Sequence, residues 1–496
     1  MLYVSTRGKA DLVSSAYAIN RGLARDGGLF VPQSFPKIRL SDLKAMEKKP
    51  YTERAIDVLF QFLTDYTEDE LRDCVEQAYT TIKFGDEPVP LVPVTDNISV
   101  LELWHGPTSA FKDMALQLLP HLMTRAIQKN GEDRKVVILV ATSGDTGKAA
   151  LEGFSDVANT EIIVFYPSEG VSDIQKQQMI TQMGKNVQVY GIEGNFDDAQ
   201  RGVKEIFGDE AMAQTLAEKG YVFSSANSIN WGRLVPQIVY YFSAYVDAVK
   251  AGSIQLGDSI NFVVPTGNFG NILAGYYAKL MGLPVDRLLC ASNSNNVLTD
   301  FINTGIYNRQ REFYKTISPS MDILVSSNLE RLLYSVSCKN AEEVADLMTK
   351  LNEEGSYKVS DDILKKIQTQ FFAAWVDEVE TKEAIGRVYA DHHYLMDTHT
   401  AVAWRALEKY RLLTSDNTFT IVLSTASPYK FCNSVLEAIH DDKESETNPF
   451  ALLRKLEAET KLPIPIRMEA LEKLPILHDG IINPDQMAET VLAGLK

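Results

Sequence analysis

The stretch KVVILVATSGDTGKAA, residues 135–150, passes from a continuous apolar run through a glycine-containing turn into an amphipathic segment. The same order recurs along the chain: EIIVFYP (161–167) precedes SDIQKQQMITQM, VQVYGI (187–192) precedes NFDDAQRGVKEIF, and INFVVP (260–265) precedes NILAGYYAKLMG. A further apolar run, TFTIVLST, lies near residue 420. Strands that are apolar throughout and separated by helices predict a mostly parallel sheet covered on both faces, which is an α/β architecture.

The chain on either side of these strands has a different character. Apolar positions three and four apart predict mainly helical structure over about the first 80 residues. Pro88, Pro90 and Pro93 then exclude a helix over residues 83–97 and favour an extended connection. We therefore predict a boundary near residue 90, between an N-terminal domain (1–90) and an α/β region (91–496). Within that region, residues 296–417 are predicted to form a peripheral helical insertion.

Composition excludes several classes of partner. The 66 acidic residues exceed the 49 lysines and arginines, and no run of five basic residues is present, so we expect no nucleic-acid partner. The longest apolar runs are far shorter than the roughly 18 residues of a membrane span, and the N-terminus does not resemble a secretory signal. The four cysteines are widely spaced and are predicted to be buried thiols of a reducing compartment. We expect a cytoplasmic protein without a membrane partner.

Two glycine-containing loops follow predicted strands, where backbone N–H groups can hold an anion. The first, ATSGDTGKAA (141–150), is not a P-loop, because only Asp145 and Thr146 separate Gly144 from the Gly-Lys pair, and an alanine follows that lysine. The second, VVPTGNFGNILAG (263–275), lacks the G-x-G-x-x-G spacing but leaves room for a phosphate. Either loop alone is better explained as a tight strand-to-helix turn.

Lys112 lies in HGPTSAFKDMA (105–115), where a Gly-Pro turn runs into an apolar segment. The simplest interpretation is a surface lysine near a helix start. A cation at a helix N-terminus, however, meets the positive end of the helix dipole, and apolar neighbours disfavour its charge. Both effects lower the pKa of an amine, as a lysine that condenses with an aldehyde requires. Lys112 and a glycine loop would together supply both parts of a pyridoxal-phosphate site.

Polar residues elsewhere in the chain allow further predictions. TIVLSTASPYKF (420–431) ends a predicted strand in hydroxyls that can meet a ring nitrogen without protonating it, although taken alone they are better explained as a simple strand-terminal turn. His392, His393, His399 and Asp397 match no metal-ligand spacing, so we predict no catalytic metal.

Six segments carry a resemblance to a known family: HGPTSAFKD, ATSGDTG, NSINWGR (227–233), PTGNFGN, DTHTAVA (397–403) and LSTASPYKF. Together and in this order they closely resemble the threonine synthase family, in the branch with a long N-terminal region, within the β-family (fold type II) of pyridoxal-phosphate enzymes. The resemblance extends over nearly the whole chain. It implies a fold type II α/β structure with mostly parallel twisted sheets flanked by helices, in which residues 91–496 form two lobes that bind pyridoxal 5'-phosphate.

The resemblance also implies a role for each matching position. Lys112 would join the cofactor aldehyde, and Thr425 would face the pyridine nitrogen. The cofactor phosphate would lie on the second loop, formed by Gly267, Asn268, Phe269, Gly270 and Asn271. Substrate contacts would come from Ser143, Gly144, Asp145, Thr146, Asn230 and Arg233. Met114, Lys148, Ser427 and Thr398 depart from many relatives, and Lys148 is expected to supply local positive charge beside the first loop.

The reaction implied by the resemblance converts O-phospho-L-homoserine and water to L-threonine and phosphate. In it, the Lys112 amine would carry protons at Cα and Cβ, so that the γ-phosphate leaves and water adds at Cβ. Two other interpretations stay open. A β-family dehydratase or phospho-lyase would release ammonia and a keto acid, and a non-enzymatic homologue would only bind a ligand. We expect a monomer or a homodimer.

Overall fold

The structure is a computed structural model that describes residues 1–495, without the side chain at position 197. In this range it contains the following strands: β1 Tyr3–Ser5, β2 Phe30–Pro32, β3 Leu91–Thr95, β4 Ile98–Glu102, β5 Lys135–Ala141, β6 Thr160–Pro167, β7 Val187–Ile192, β8 Tyr221–Ser225, β9 Ile260–Pro265, β10 Val285–Ser292, β11 Ile306–Asn308, β12 Ser356–Lys358, β13 Phe371–Trp375, β14 Thr420–Ser424 and β15 Ile481–Ile482.

The α-helices surround these strands. In chain order they are α1 Ser15–Arg21, α2 Leu40–Met46, α3 Tyr51–Phe62, α4 Glu68–Ala78, α5 Thr81–Phe84, α6 Asp113–Leu116, α7 Leu119–Lys129, α8 Asp145–Phe154, α9 Asp173–Ile180, α10 Phe196–Gly208, α11 Glu210–Glu218, α12 Trp231–Lys250, α13 Gly270–Met281, α14 Val297–Thr304, α15 Leu329–Val336, α16 Ala341–Glu353, α17 Asp361–Gln370, α18 Glu378–His392, α19 Thr398–Thr414, α20 Cys432–His440, α21 Pro449–Thr460, α22 Ile466–Glu469 and α23 Met487–Gly494.

Two sheets form the α/β region, as the strand pattern predicts. The larger sheet has the strand order β13-β10-β9-β14-β4-β3 and is parallel except for β3, which pairs antiparallel with β4. The smaller sheet, β15-β7-β6-β5-β8, is parallel throughout. Strands β5, β6 and β9 are buried along almost their whole length, because helices cover both faces of a parallel sheet. This burial explains why their sequences are apolar throughout rather than alternating.

The N-terminal region is mainly helical, as predicted, but it shares its core with the rest of the chain. Helices α1–α5 occupy most of residues 15–84, and β1 pairs with β2. Tyr3 and Phe62 lie in the same buried apolar cluster as Trp231 and Tyr277 of the α/β region. The ring centroids of Tyr3 and Phe62 lie 5.2 and 5.6 Å from that of Trp231. The boundary near residue 90 therefore separates two stretches of sequence that fold around one continuous core.

Residues 296–417 do not form a peripheral insertion, and this prediction is wrong. The segment contributes β13, which pairs in parallel with β10 at the edge of the larger sheet. Its helix α19 packs across four strands of the same sheet, β9, β10, β13 and β14. The small β11–β12 pair forms a separate two-stranded sheet. The segment is therefore an integral part of the larger sheet and of the core below α19.

Two further sequence-based expectations concern the surface. Cys74, Cys290 and Cys432 are buried as predicted, whereas Cys338 is exposed in a left-handed turn after α15 with φ +57°. Within residues 1–495, no helix combines the length and the apolar character that crossing a membrane requires.

Candidate active site

A cavity of about 180 Å³ lies where strands of both sheets end. Its wall includes residues at or just after the carboxyl ends of four parallel strands: Thr142 after β5, Ser225 of β8, Pro265 of β9 and Thr425 after β14. Lys112 lines the same cavity. Ligands of open parallel sheets bind at the carboxyl ends of the strands, so this position is where the fold places a binding site.

Lys112 is a buried lysine, with 8% of its surface exposed. Its Nζ lies 3.5 Å from Ser320 Oγ and 3.9 Å from Asp145 Oδ2. Burial lowers the pKa of the amine to about 8, and the positive charges of Arg233 and Lys430 act in the same direction against the attraction of Asp145. Because α6 has only four residues, desolvation rather than the helix dipole is the main cause. At pH 7 about a tenth of Lys112 is therefore the neutral amine, a far larger share than in a lysine exposed to water.

The turn before Lys112 is fixed by the residues of its own sequence. The Asp113 carboxylate accepts hydrogen bonds from the backbone N–H and the hydroxyl of Thr108, both at 2.8 Å. A Cβ at Gly106 would lie 2.5 Å from the Asp113 side chain, so this close approach requires glycine. The N–H of Phe111 donates to the carbonyl of Thr425 at 2.9 Å. These contacts place Lys112 beside the end of β14.

The second glycine loop connects β9 to α13, and all five of its predicted residues line the cavity. Phe269 has the left-handed φ of +63° just before α13 begins. A Cβ at Gly267 would lie 2.8 Å from the carbonyl oxygen of Ser320, so no side chain fits there. The first N–H groups of a helix have no partner within that helix. The loop is therefore a backbone cradle of the kind that binds phosphate.

Asn271 adds a side-chain donor to this cradle. Its Oδ1 accepts hydrogen bonds from the hydroxyls of Tyr240, at 2.6 Å, and Tyr241, at 2.9 Å. Its Nδ2 is buried without a hydrogen-bond partner among the described residues. An unsatisfied buried donor beside a cavity is the feature that an anionic ligand would satisfy.

The first loop brings only two of its four predicted residues to the cavity. Ser143 and Thr146 line it, whereas Gly144 and Asp145 do not. A Cβ at Gly144, which has φ +126°, would lie 2.6 Å from the Gln175 side chain. The Asp145 carboxylate points to Lys430 Nζ, 2.5 Å from Oδ1, and accepts from Gln175 Nε2 at 2.7 Å. Asp145 is therefore placed to act on neighbouring side chains rather than on a ligand.

Arg233 lines the cavity, and no carboxylate among the side chains that the structure describes forms an ion pair with it. Its Nη1 donates to the carbonyl of Ala226 at 2.6 Å, and its Nε has no hydrogen-bond partner in that range. Burial lowers the pKa of the guanidinium to about 10, which leaves it charged at neutral pH. A buried cation without a counter-ion is costly, so this residue favours an anion in the cavity.

Asn230 and Lys148 do not have the positions that the sequence suggests. Asn230 lies outside the cavity lining. Its amide donates to the carbonyls of Ile19 and Ser225, both at 2.9 Å, and it caps α12 by accepting from the N–H of Gly232. Lys148 also lies outside the lining and pairs with Glu152 at 3.0 Å, one turn further along α8. In this structure Asn230 therefore caps a helix and Lys148 forms an ion pair, and neither is brought to the cavity with the other predicted residues.

Ser320 and His399, from the segment 296–417, also line the cavity and were not predicted as site residues. The backbone N–H of Ser320 donates to His399 Nε2 at 3.2 Å. The opposite ring nitrogen, Nδ1, therefore carries the proton that is shared with Asp397 Oδ2 at 2.8 Å. The Ser320 hydroxyl donates to Asp145 Oδ2 at 3.2 Å. Ser320 thus connects the histidine, the carboxylate and Lys112.

The histidines of this segment have no metal-binding neighbours. Among the residues that the structure describes, no group of three or more histidine, cysteine, aspartate or glutamate side chains is arranged to hold a metal ion. His399 is a buried member of the cavity wall, and its imidazole is occupied on both sides by the hydrogen bonds described above.

Three family models match this chain in sequence. Threonine synthase N terminus covers residues 2–79, Pyridoxal-phosphate dependent enzyme covers residues 88–360, and Threonine synthase, C-terminal covers residues 400–475. Together they include the N-terminal helices, the cavity lining up to β12, and the segment that contains Thr425.

Curated relatives and solved structures agree with these matches. The chain is 40% identical to Threonine synthase-like 1 of Homo sapiens over 483 residues, which is 95% of this chain but 62% of that protein, so it spans less than two thirds of this relative. It is 40% identical to Threonine synthase of Pseudomonas aeruginosa, over 88% of this chain and 90% of that protein. The crystal structure of PLP-bound threonine synthase from Brucella melitensis is similar over the full length of both chains, with a TM-score of 0.87 and 36% identity. This chain therefore belongs to the threonine synthase family of pyridoxal-phosphate dependent enzymes.

Proposed function

We propose that this chain is a threonine synthase, which uses pyridoxal phosphate to convert O-phospho-L-homoserine and water to L-threonine and inorganic phosphate. The observation that carries the proposal is one cavity that holds a buried lysine of lowered pKa, a glycine cradle and an arginine without a described counter-ion. An amine, a phosphate cradle and a second anion site are what a cofactor aldehyde, its phosphate and a phosphorylated substrate need.

The residues present fit the cofactor. The cradle at Gly267–Asn271 has an unsatisfied buried amide donor at Asn271 and lies at the start of α13, where backbone N–H groups favour a phosphate. Lys112 lies in the same cavity and would bind the aldehyde carbon. Thr425 would face the pyridine nitrogen with a hydroxyl, which leaves that nitrogen neutral.

When bound, the cofactor supplies an electron sink for negative charge at the carbon next to the substrate amine. Lys112 Nζ would take the proton from Cα, and the Cβ proton would leave with the phosphate as the Cγ–O bond breaks. Nζ would pass its proton to Cγ, take one from the water whose oxygen adds at Cβ, and return that proton to Cα. An amine with a pKa of about 8 both accepts and returns protons efficiently near neutral pH.

The anionic parts of the substrate have separate partners in this proposal. Ser143 and Thr146, at the start of α8, would bind the carboxylate, because hydroxyls and helix N-terminal N–H groups favour an anion there. Arg233 would hold the γ-phosphate and remain beside it as it leaves, since its charge has no other partner in the cavity wall. Once the phosphate has left the cavity, the Arg233 guanidinium would bind the phosphate of the next substrate.

The location and assembly of the protein are part of the proposal. Buried, unpaired thiols at Cys74, Cys290 and Cys432 are typical of a reducing compartment, and we infer the cytoplasm. A monomer or a homodimer is the proposed state.

Product analysis tests the reaction. Purified protein with pyridoxal phosphate and O-phospho-L-homoserine is expected to release L-threonine and phosphate in equal amounts. The relatives named above include both a threonine synthase and a threonine synthase-like protein, each at 40% identity, so the products decide the activity. Release of ammonia and 2-ketobutyrate in place of threonine would identify a phospho-lyase, and absence of turnover with retained ligand binding would identify a non-enzymatic homologue.

A further inference from the structure

Lys430 is a buried ammonium group beside the cavity to which the reaction above assigns no role. It is 1% exposed and lies in the turn after β14. Its Nζ lies 2.5 Å from Asp145 Oδ1 and donates to the carbonyl of Thr108 at 3.0 Å. Lys430 does not line the cavity, so it has no direct contact with a ligand there.

The Asp145 carboxylate is divided between two lysines. Oδ1 is bound by Lys430, as described above, while Oδ2 accepts from Ser320 Oγ at 3.2 Å and lies 3.9 Å from Lys112 Nζ. The electrostatic energy of a pair of charges falls with their separation, so Lys430 satisfies most of the charge of Asp145. Lys112 Nζ lies farther from Asp145 than Lys430 Nζ does, and the Ser320 hydroxyl lies beside it.

Lys430 also connects the chain segments that carry the other two groups. Through Thr108 it binds the turn that leads into Lys112, and through Asp145 it binds the first turn of α8. The turn that leads into Lys112 is also attached to the segment after β14 by two backbone hydrogen bonds. The N–H of Phe111 donates to the carbonyl of Thr425, and the N–H of Ser427 donates to the carbonyl of Ser109. A change at position 430 therefore acts on the distance between Lys112 and Asp145.

Resting on the function proposed above, we propose that Lys430 is a positioning residue for Lys112. By binding Asp145 at 2.5 Å it keeps Lys112 at 3.9 Å from that carboxylate, beyond hydrogen-bond distance, so that the ion pair holds the proton of Lys112 less strongly. The charged groups around Lys112 in the described chain are few: Asp145 on α8, Arg233 on α12, Lys430 after β14, and Asp113 on α6, whose carboxylate is bound to Thr108. His399 reaches Lys112 only through Ser320.

The sign of the effect follows from these charges. Replacing Lys430 by methionine removes a positive charge and leaves Asp145 free to pair with Lys112, so Lys112 is expected to keep its proton to higher pH. Replacing Asp145 by asparagine removes the attraction, so Lys112 is expected to lose its proton at lower pH. A neighbouring opposite charge commonly changes a pKa by about one or more. We expect the two substitutions to move the Lys112 midpoint in opposite directions by about one pH unit each.

Competitive labelling measures this midpoint without any assay of turnover. The full chain, freed of bound cofactor, is treated with trace isotopic acetic anhydride across a pH series, and mass spectrometry quantifies acetylation of the peptide that contains Lys112. The wild-type midpoint is expected near pH 8. Lys430→Met is expected to raise it, Lys430→Arg to keep it near the wild-type value, and Asp145→Asn to lower it. Lys148→Met, which removes a buried lysine from its pair with Glu152 on the same helix α8, is the matched control and is expected to leave it unchanged.

The labelling result is independent of the reaction. An unchanged or lowered midpoint in Lys430→Met overturns the inference even if the wild type makes threonine. If Lys430→Met does not fold by circular dichroism, Asp145→Asn and Lys430→Arg carry the test, and a midpoint that rises in Asp145→Asn overturns it. The predicted opposite changes support the role of Lys430 even if the protein releases a keto acid instead of threonine, because the measurement concerns only the amine.

Discussion

Arg233 shows how a single residue can indicate a ligand. Its guanidinium is buried in the cavity wall, remains charged, and forms no ion pair with a carboxylate among the described side chains. Replacing it by glutamine removes the proposed partner of the substrate phosphate while keeping a polar side chain. We expect KM for O-phospho-L-homoserine to rise at least about tenfold in Arg233→Gln, with a smaller change in kcat, because a hydrogen bond to a charged group is lost.

Arg233→Lys is the control for this experiment, since it retains the positive charge and loses only the planar fork of the guanidinium. Its increase in KM should be smaller than that of Arg233→Gln. If steady-state kinetics give both variants a KM within about twofold of the wild type, Arg233 does not bind the substrate.

His121 is a second residue with a prediction of its own. Burial in α7 lowers its pKa to about 4, below the value of about 6.5 in an unfolded chain. As pH falls below 6.5 the unfolded chain binds a proton that the folded chain does not, so folding loses stability. Between pH 7 and pH 5 this loss is about 2 kcal/mol. Urea unfolding at pH 7 and pH 5 measures this loss. The free energy of unfolding of His121→Gln should fall by about 2 kcal/mol less than that of the wild type between these pH values. An equal fall in both proteins would contradict the assignment.

At the residue scale, local sequence predicts some roles and misses others. Lys112 and the glycine loop are visible because each is set in a distinctive local pattern. Asn230 was misassigned because an asparagine before a helix is as suited to capping as to ligand binding. Ser320 and Lys430 give no local signal, since their partners Asp145 and Lys112 lie far away in the chain.

At the scale of elements, the contact between α6 and α8 sets the distance between Lys112 and the first loop. A Cβ at Gly153 of α8 would lie 2.1 Å from the carbonyl oxygen of Leu116, the last residue of α6. Because that neighbour is backbone, Gly153→Ala must move one helix. We expect the free energy of unfolding to fall by about 1–3 kcal/mol and KM to rise as Ser143 and Thr146 move from Lys112.

Gly208, the last residue of α10, is the matched control, because a Cβ there would have no neighbour within 4 Å. Gly208→Ala is expected to raise the free energy of unfolding by about 0.5–1 kcal/mol, since alanine restricts the unfolded chain. Denaturant unfolding and steady-state kinetics measure both effects. A Gly153→Ala protein as stable as Gly208→Ala would show that α6 and α8 are not in the contact described.

The element scale is also where sequence prediction worked best. The strands β7 and β9 occupy the predicted residues, and β5, β6 and β14 agree within two residues, because buried parallel strands have an unmistakable apolar composition. Strand β13 was missed because it has five residues between helices α17 and α18, and its pairing with β10 is a contact between distant parts of the chain. Missing one strand was enough to make residues 296–417 look peripheral.

At the scale of the whole molecule, the N-terminal region and the α/β region depend on each other. Thr6 and Arg7 both bind the Glu330 carboxylate of α15, and Arg331 donates to the carbonyl of Phe30. Removing residues 1–79 would uncover the apolar cluster around Trp231 and break these bonds.

We therefore expect the chain of residues 80–496 not to fold by itself. Circular dichroism and cofactor binding measure this on the truncated chain beside the full chain. A truncated chain with a native spectrum that binds pyridoxal phosphate would show instead that the boundary near residue 90 separates independent domains.

The central claim is that Lys112 joins the cofactor within this cavity. Borohydride reduction of the purified protein with pyridoxal phosphate, followed by peptide mass spectrometry, locates the covalent adduct directly. One adduct is expected, on Lys112, and it should be absent from Lys112→Ala. An adduct on another lysine instead, or no adduct in the wild-type protein under conditions where it binds the cofactor, would contradict it.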